Sequence, residues 1–244
     1  MGVTNTTMRR AVVTGASSGI GRAIALGLAA SGFEVHAVGR DRDRLAEVEG
    51  EADGDRVNVH PVDLLDDAAL EALARTVAVD GRLDVLVHAA GIHRQRPLAE
   101  SSSEDFDAIV RTNLRVPHEL TRLLLPALMA TAGEVVLVNS SVGLRSGPGV
   151  AAYGASKHGL RALADSLRDE VNGRGVRVLT LYVGRTATPM QAGIVAAEGG
   201  AWEPDRLVQP ADVAEMVLAA IALPRTAEVT EISIRPMLPP RQVG

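Results

Sequence analysis

Seven short apolar runs punctuate this chain, at residues 11–14, 34–38, 57–62, 84–88, 134–139, 177–183 and 231–234. Between them lie stretches whose apolar residues recur at helical spacing, at 20–30, 42–49, 68–79, 104–130, 152–172 and 211–220. Several runs, residues 135–138 among them, are apolar at every position instead of every second one. That is the pattern of strands covered by helices on both faces. Strands and helices in this alternation build a parallel sheet through right-handed crossovers. The expected fold is therefore α/β, a doubly wound parallel sheet of about seven strands with helices on both faces. The 244 residues suit one large domain, and no repeat, low-complexity segment or linker marks a boundary. Residues 9–244 read as that domain, behind a loose polar arm at 1–8. The tail 235–244 carries three prolines and reads as extended.

Composition removes several classes of function. There is no cysteine, so disulfides, thiolate metal sites and a cysteine nucleophile are excluded, and no metal is expected. A net charge of −5 gives no general attraction to nucleic acid or an anionic membrane, and 2% aromatic content argues against base-stacking platforms. No apolar run approaches the ~20 residues that span a bilayer. The first ten residues are polar and end in two arginines, unlike a secretory signal. The expectations are a cytoplasmic location and neither nucleic-acid nor membrane partners.

The first strand runs directly into Thr14-Gly15-Ala16-Ser17-Ser18-Gly19-Ile20-Gly21 and then into helix. Glycine lets a backbone turn tightly and approach a pyrophosphate, and free N–H groups at a helix start favour an anion. Ser17 and Ser18 can add hydroxyl hydrogen bonds. Taken alone, such a turn could equally serve only the strand-to-helix connection. Further along, Tyr153 and Lys157 stand one helical turn apart, so their side chains rise from one face. An ammonium near a phenol favours the phenolate and would bring its pKa down towards neutrality. Ser140 lies thirteen residues before Tyr153 at the end of a strand, where ligands bind in parallel sheets. It could share one carbonyl oxygen with Tyr153. Adjacent Ser141 points to the other side and better fits a capping role. Asn113 falls inside the helical stretch 104–130, where asparagine is a poor resident because its amide competes for backbone groups.

The spacing Gly15-x-x-x-Gly19-x-Gly21, followed in order by Ser140 and Tyr153-x-x-x-Lys157, resembles the short-chain dehydrogenase/reductase family over about residues 9 to 236. The resemblance implies a Rossmann-type fold and an oxidoreductase that interconverts a carbonyl and a secondary alcohol by hydride transfer. It implies cofactor contacts at Gly15, Ser17, Ser18, Gly19, Ile20 and Gly21, and at Asp63-Leu64 and Ala89. The second strand ends at Arg40, where an acid would suit NAD(H) and an arginine suits the 2′-phosphate of NADP(H). NADP(H) is therefore the expected cofactor, with NAD(H) as the second choice. The other reading of Arg40-Asp41-Arg42-Asp43-Arg44 is a solvated charge run at a helix head.

By the same resemblance Ser140 steadies the substrate oxygen and Tyr153 transfers the proton. Lys157 lowers the Tyr153 pKa and holds the nicotinamide ribose, while Asn113 kinks its helix and holds a relay water. Thr186 and Thr188, in Val183-Gly184-Arg185-Thr186-Ala187-Thr188, would hold the carboxamide. The chain departs from the family where His88-Ala89-Ala90-Gly91 replaces Asn-Asn-Ala-Gly, with His88 expected to be packed, and where Val183 replaces a proline. Substrate walls are expected at 92–97, 142–150 and a short mobile lid at 190–203, with Arg94, Arg145 and Arg185 offered as receivers of an anionic substrate. The implied assembly is a homodimer or homotetramer. Two rivals are a catalytically silent dinucleotide-binding regulator, which would typically lack Tyr153 or Lys157, and a nucleotide-sugar epimerase, which would carry a different glycine spacing and a larger C-terminal part.

Overall fold

The computed structural model describes residues 8–52 and 54–238. Most of the expected N-terminal arm (1–7) and the end of the tail (239–244) lie outside the described residues. The strands are β1 (Arg10–Thr14), β2 (Glu34–Gly39), β3 (Val57–Pro61), β4 (Val85–His88), β5 (Glu134–Ser140), β6 (Arg177–Val183) and β7 (Glu231–Ile234). They form a seven-stranded sheet in the order β3-β2-β1-β4-β5-β6-β7, with every neighbour parallel. The chain thus begins at the middle, winds to one edge, and returns to wind to the other. Between β1 and β4 the direction reverses, which opens a crevice beyond the carboxyl ends of the strands.

The helices are α1 (Gly19–Ala30), α2 (Arg42–Glu51), α3 (Asp67–Val77), α4 (Ser103–Val110), α5 (Val116–Thr131), α6 (Ala151–Val171), α7 (Pro189–Ala197) and α8 (Pro210–Ala222). Ile24 and Leu28 of α1, Leu45 of α2 and Val213 and Val217 of α8 pack with Val13, Val35, Val87 and Leu181 on one face. On the other, Leu70 of α3, Leu120 and Leu124 of α5 and Leu160 of α6 pack with Val12, Leu86, Val135 and Val178. Neighbours such as Val12 and Val13 therefore enter opposite cores, which is why the strands are apolar without alternation. Each fully buried Leu or Val contributes roughly 1.5–3 kcal/mol.

The expected helix 104–130 is not continuous. A π-helical turn at Arg111–Arg115 separates α4 from α5. Pro117 has no N–H, so the carbonyl of Asn113 loses its i→i−4 donor and the ladder widens there. The segment 190–203, expected as a short mobile lid, is entered by α7, which starts at Pro189 behind a Thr188 cap and ends at Ala197. At the opposite end of the sheet from the crevice, Arg177 and Glu134 form a buried pair (Nη2–Oε2 2.6 Å), and Arg177 donates further to the carbonyls of Ile221, Leu223 and Ala227. This ties the end of α8 to the sheet. Among the described residues no helix is long and apolar enough to cross a membrane.

Two histidines are held neutral in the core region. His36 Nδ1 and His60 Nε2 share a 2.8 Å hydrogen bond, and burial, with some help from His60, pushes His36 down to about 4. Burial alone pushes His88, whose Nε2 bonds Thr121 Oγ1 at 2.8 Å, down to about 3. Unfolded histidines take up protons below about pH 6.5, whereas these two remain neutral in the fold. Their contribution to stability is complete above pH 6.5 and is lost as the pH falls through 4 and then 3. Urea midpoints should therefore drop between pH 6.5 and 4, and His36→Asn should make that drop shallower.

Candidate active site

At the mouth of the crevice the first turn is pressed against neighbouring backbone. Gly15 and Gly19 have φ of +68° and +54°, in the left-handed region. A Cβ on Gly15 would stand 2.7 Å from the Ala90 nitrogen, and one on Gly19 would stand 2.9 Å from Thr188 Cγ2. A Cβ on Gly21 would run into the Gly15 carbonyl. Ser18 occupies the N-cap of α1, yet its hydroxyl does not close onto the helix. The first turn of α1 therefore keeps its amides unclaimed by a side-chain cap, in the arrangement that suits an anion. Thr14 Oγ1 fixes the facing turn, accepting from the amides of Ala89 (3.2 Å) and Ala90 (3.3 Å) and donating to the Val87 carbonyl.

From this turn a cleft of about 780 Å³ runs past Arg40, Asp63, Leu64 and Ala89 to Ser140, Tyr153 and Lys157, and is bordered by Thr186 and Thr188. Tyr153 is buried and lines the cleft together with Ser140. Burial pushes the Tyr153 pKa up, opposed by the neighbouring Ser140 side chain. Lys157, fully buried, is pushed down to about 8. Its Nζ donates to the Val138 carbonyl (3.0 Å) and stands 5.8 Å from the Tyr153 ring centre. The expected depression of the phenol by the ammonium is thus not what this arrangement gives, since burial dominates and the ammonium is engaged elsewhere. Asn139 reaches back across the same gap. Its Nδ2 donates to the Lys157 carbonyl (3.0 Å), while its Oδ1 accepts from the Ser140 amide (2.8 Å). Among the described residues no group of three or more His, Asp or Glu side chains is placed to hold a metal ion.

The model of the short chain dehydrogenase family matches residues 9–199, across both the glycine turn and the Ser140–Tyr153–Lys157 cluster. The chain belongs to the short-chain dehydrogenase/reductase family. An uncharacterised short-chain type dehydrogenase/reductase of Sinorhizobium fredii is 33% identical over 93% of this chain and 90% of its own length. The 3-oxoacyl-[acyl-carrier-protein] reductase of Thermotoga maritima is 34% identical over 73% of this chain and 74% of its own. Among solved structures, the alcohol dehydrogenase of Thermococcus sibiricus complexed with 5-hydroxy-NADP has a TM-score of 0.85 at 29% identity, covering 96% of this chain and all (100%) of its own.

Ser17, Ser18, Ile20 and Gly21 line the cleft with Gly15 and Gly19. Arg40 is exposed at its edge, whereas Asp41 caps α2 and pairs with Arg44. The charge run is therefore part cleft wall and part helix cap. Asp63 faces the cleft but accepts from the Leu65 amide (3.0 Å). Ser140, not Ser141, is the capping serine, accepting from the Val142 amide at 3.2 Å. The loop lacking the family proline is held instead by Val208, which bonds Arg185 and Ala187, and Thr186 donates to the Gly184 carbonyl.

Asn113 lies outside the cleft lining. Its Oδ1 accepts from the Ile92 amide (2.9 Å), and its Nδ2 donates to the Ile92 carbonyl (3.0 Å) and to Ser156 Oγ (3.2 Å). The side chain is a clamp, with both its oxygen and its nitrogen engaged. Of the rim arginines, Arg94 pairs with Asp105, Arg185 pairs with Glu198 through two bonds, and Arg145 is exposed away from the cleft lining. Thr14 and Asn139 were not singled out by motif, though a buried-run asparagine and a strand-end threonine are visible signals. Asn113→Leu would leave the Ile92 amide and carbonyl unpaired and should lower stability by about 2 kcal/mol or more, read as a shift of the urea midpoint.

Proposed function

We propose that this protein is an NADP(H)-dependent oxidoreductase that interconverts a carbonyl and a secondary alcohol, working through Ser140, Tyr153, Lys157 and Asn113. The observation that carries the reading is the convergence of Ser140, Tyr153 and a buried Lys157 in one cleft that is continuous with the glycine turn. The cleft fits a dinucleotide. Its floor is backbone that no side chain could approach as closely, and α1 offers amides without a side-chain cap. When bound there, the dinucleotide supplies or accepts the hydride.

The chain's own residues hold the reacting oxygen and move the proton. Ser140 Oγ donates to the substrate oxygen and stabilises charge developing on it. Tyr153, its phenol kept protonated by burial, delivers the proton to that oxygen in reduction and takes it back in oxidation. Lys157, with a pKa of about 8, carries its charge at neutral pH and stabilises the phenolate left behind. Asn113 positions the Ile92 backbone at the cleft wall. The Asn113 carbonyl, deprived of its donor by Pro117, is where a water linking the site to solvent would be held.

Arg40 at the second strand's tip suits a 2′-phosphate, and the relative from Thermococcus sibiricus is complexed with an NADP derivative. Tyr153→Phe should lower kcat for carbonyl reduction at least about 10²-fold, while NADPH titration by fluorescence stays within a few-fold of the parent protein. Arg40→Glu should shift the ratio of Michaelis constants for NADPH and NADH at least about tenfold towards NADH, the direction expected when an arginine–phosphate contact becomes a repulsion. A parent protein that prefers NADH would refute the Arg40 assignment.

A further inference from the structure

Beside Tyr153 the cleft wall carries a second polar ring. His93 follows Ile92, whose amide and carbonyl are both clamped by Asn113, so its backbone is held in place. The imidazole meets the Tyr153 ring edge-on, with centroids 4.7 Å apart and planes at 71°. It lines the cleft, is partly exposed there, and among the described residues neither ring nitrogen has a hydrogen-bond partner. Burial holds its pKa below the ordinary histidine value, against the pull of Glu198, so the ring presents one donor and one acceptor near neutral pH. The charges around it are otherwise engaged. Arg185 and Glu198 are closed on each other by two bonds of 2.8 and 2.7 Å.

We propose that His93 is a specificity-determining residue that hydrogen-bonds an oxygen on the carbon next to the reacting one, so that the substrate is an α-hydroxy ketone and the product a vicinal diol. This rests on the reading that Ser140 and Tyr153 hold the reacting oxygen. A ring packed on the Tyr153 edge is then the neighbouring polar group, and the substituent of the adjacent carbon is what it meets. A partly desolvated imidazole with two unused nitrogens favours a substrate oxygen there over a methyl group, because the methyl would leave those nitrogens without partners.

The test uses two matched pairs, hydroxyacetone with 2-butanone and 2-hydroxycyclohexanone with 2-methylcyclohexanone, with NADPH consumption followed by absorbance. The parent protein should show kcat/KM at least tenfold higher for the hydroxy member of a pair. His93→Phe keeps the ring contact with Tyr153 but not the nitrogens, and should remove most of that preference, chiefly through KM. His93→Gln should restore part of it. A merely structural role would lower both members of a pair alike, and that result overturns the assignment. So does a parent protein that shows no preference, or one that binds NADPH by fluorescence yet reduces neither member. Failure to bind either NADPH or NADH would instead remove the oxidoreductase reading on which the assignment stands.

Discussion

Two reciprocal bonds strap β5 to α6, and the geometry of the cleft depends on them. From α6, Lys157 passes its ammonium to the carbonyl of Val138, and from β5, Asn139 passes its amide to the carbonyl of Lys157. Each residue also carries part of the site, since Tyr153 stands one turn before Lys157 and Ser140 directly follows Asn139. A cation this deeply buried is costly unless it has a partner. The Val138 carbonyl supplies one, and the lowered lysine pKa records what burial still costs the charged form. The tight approach of Gly143, where a Cβ would lie 2.6 Å from Asn139 Oδ1 and 3.0 Å from the Lys157 carbonyl, leaves the strap little room to slip. Ser140 and Tyr153 are therefore brought together by fastenings to the backbone.

A second fastening works from the other side of the cleft. The π turn before Pro117 rotates Asn113 inward, where it takes both backbone groups of Ile92 and the hydroxyl of Ser156. Ser156 in turn bonds the Tyr153 carbonyl at 2.7 Å. One buried amide thus joins the end of β4, the broken helix and the helix bearing Tyr153. The distortion is a local departure from helical geometry that leaves a polar side chain facing a neighbouring loop, a common use of π bulges.

Much of this was legible beforehand, and the failures share a cause. The strands were readable because residues such as Val12 and Val13 are each buried on a different face, so every position is apolar. The glycine turn was readable because Gly15 and Gly21 sit where no Cβ fits. What could not be read was which partner a polar group would find across the fold. Arg185 meets Glu198, Arg94 meets Asp105, and Asn113 meets Ile92, all through chain reversals that local spacing does not encode. Pairing of Lys157 with Tyr153 at helical spacing was a sound local inference, but the Val138 carbonyl and deep burial outweighed it. The helix break was signalled by Asn113, and Pro117, four residues on, supplies its physical cause.

The direction of the two pKa shifts bears on how the proposed chemistry rests between turnovers. Burial raises Tyr153 and lowers Lys157, so the phenol comes to hold its proton more tightly than the ammonium does, while both groups stay protonated at neutral pH. The resting site is then a neutral phenol beside a charged amine, the state from which a proton can be given. Giving that proton creates a phenolate next to an ammonium, a pair whose attraction grows in the same low-dielectric surroundings that held the phenol neutral. Burial therefore disfavours the phenolate before the reaction and strengthens its stabilisation once the ammonium can face it. For that to happen the Lys157 ammonium must turn part of its donor capacity from the Val138 carbonyl, and its three protons allow it to serve both.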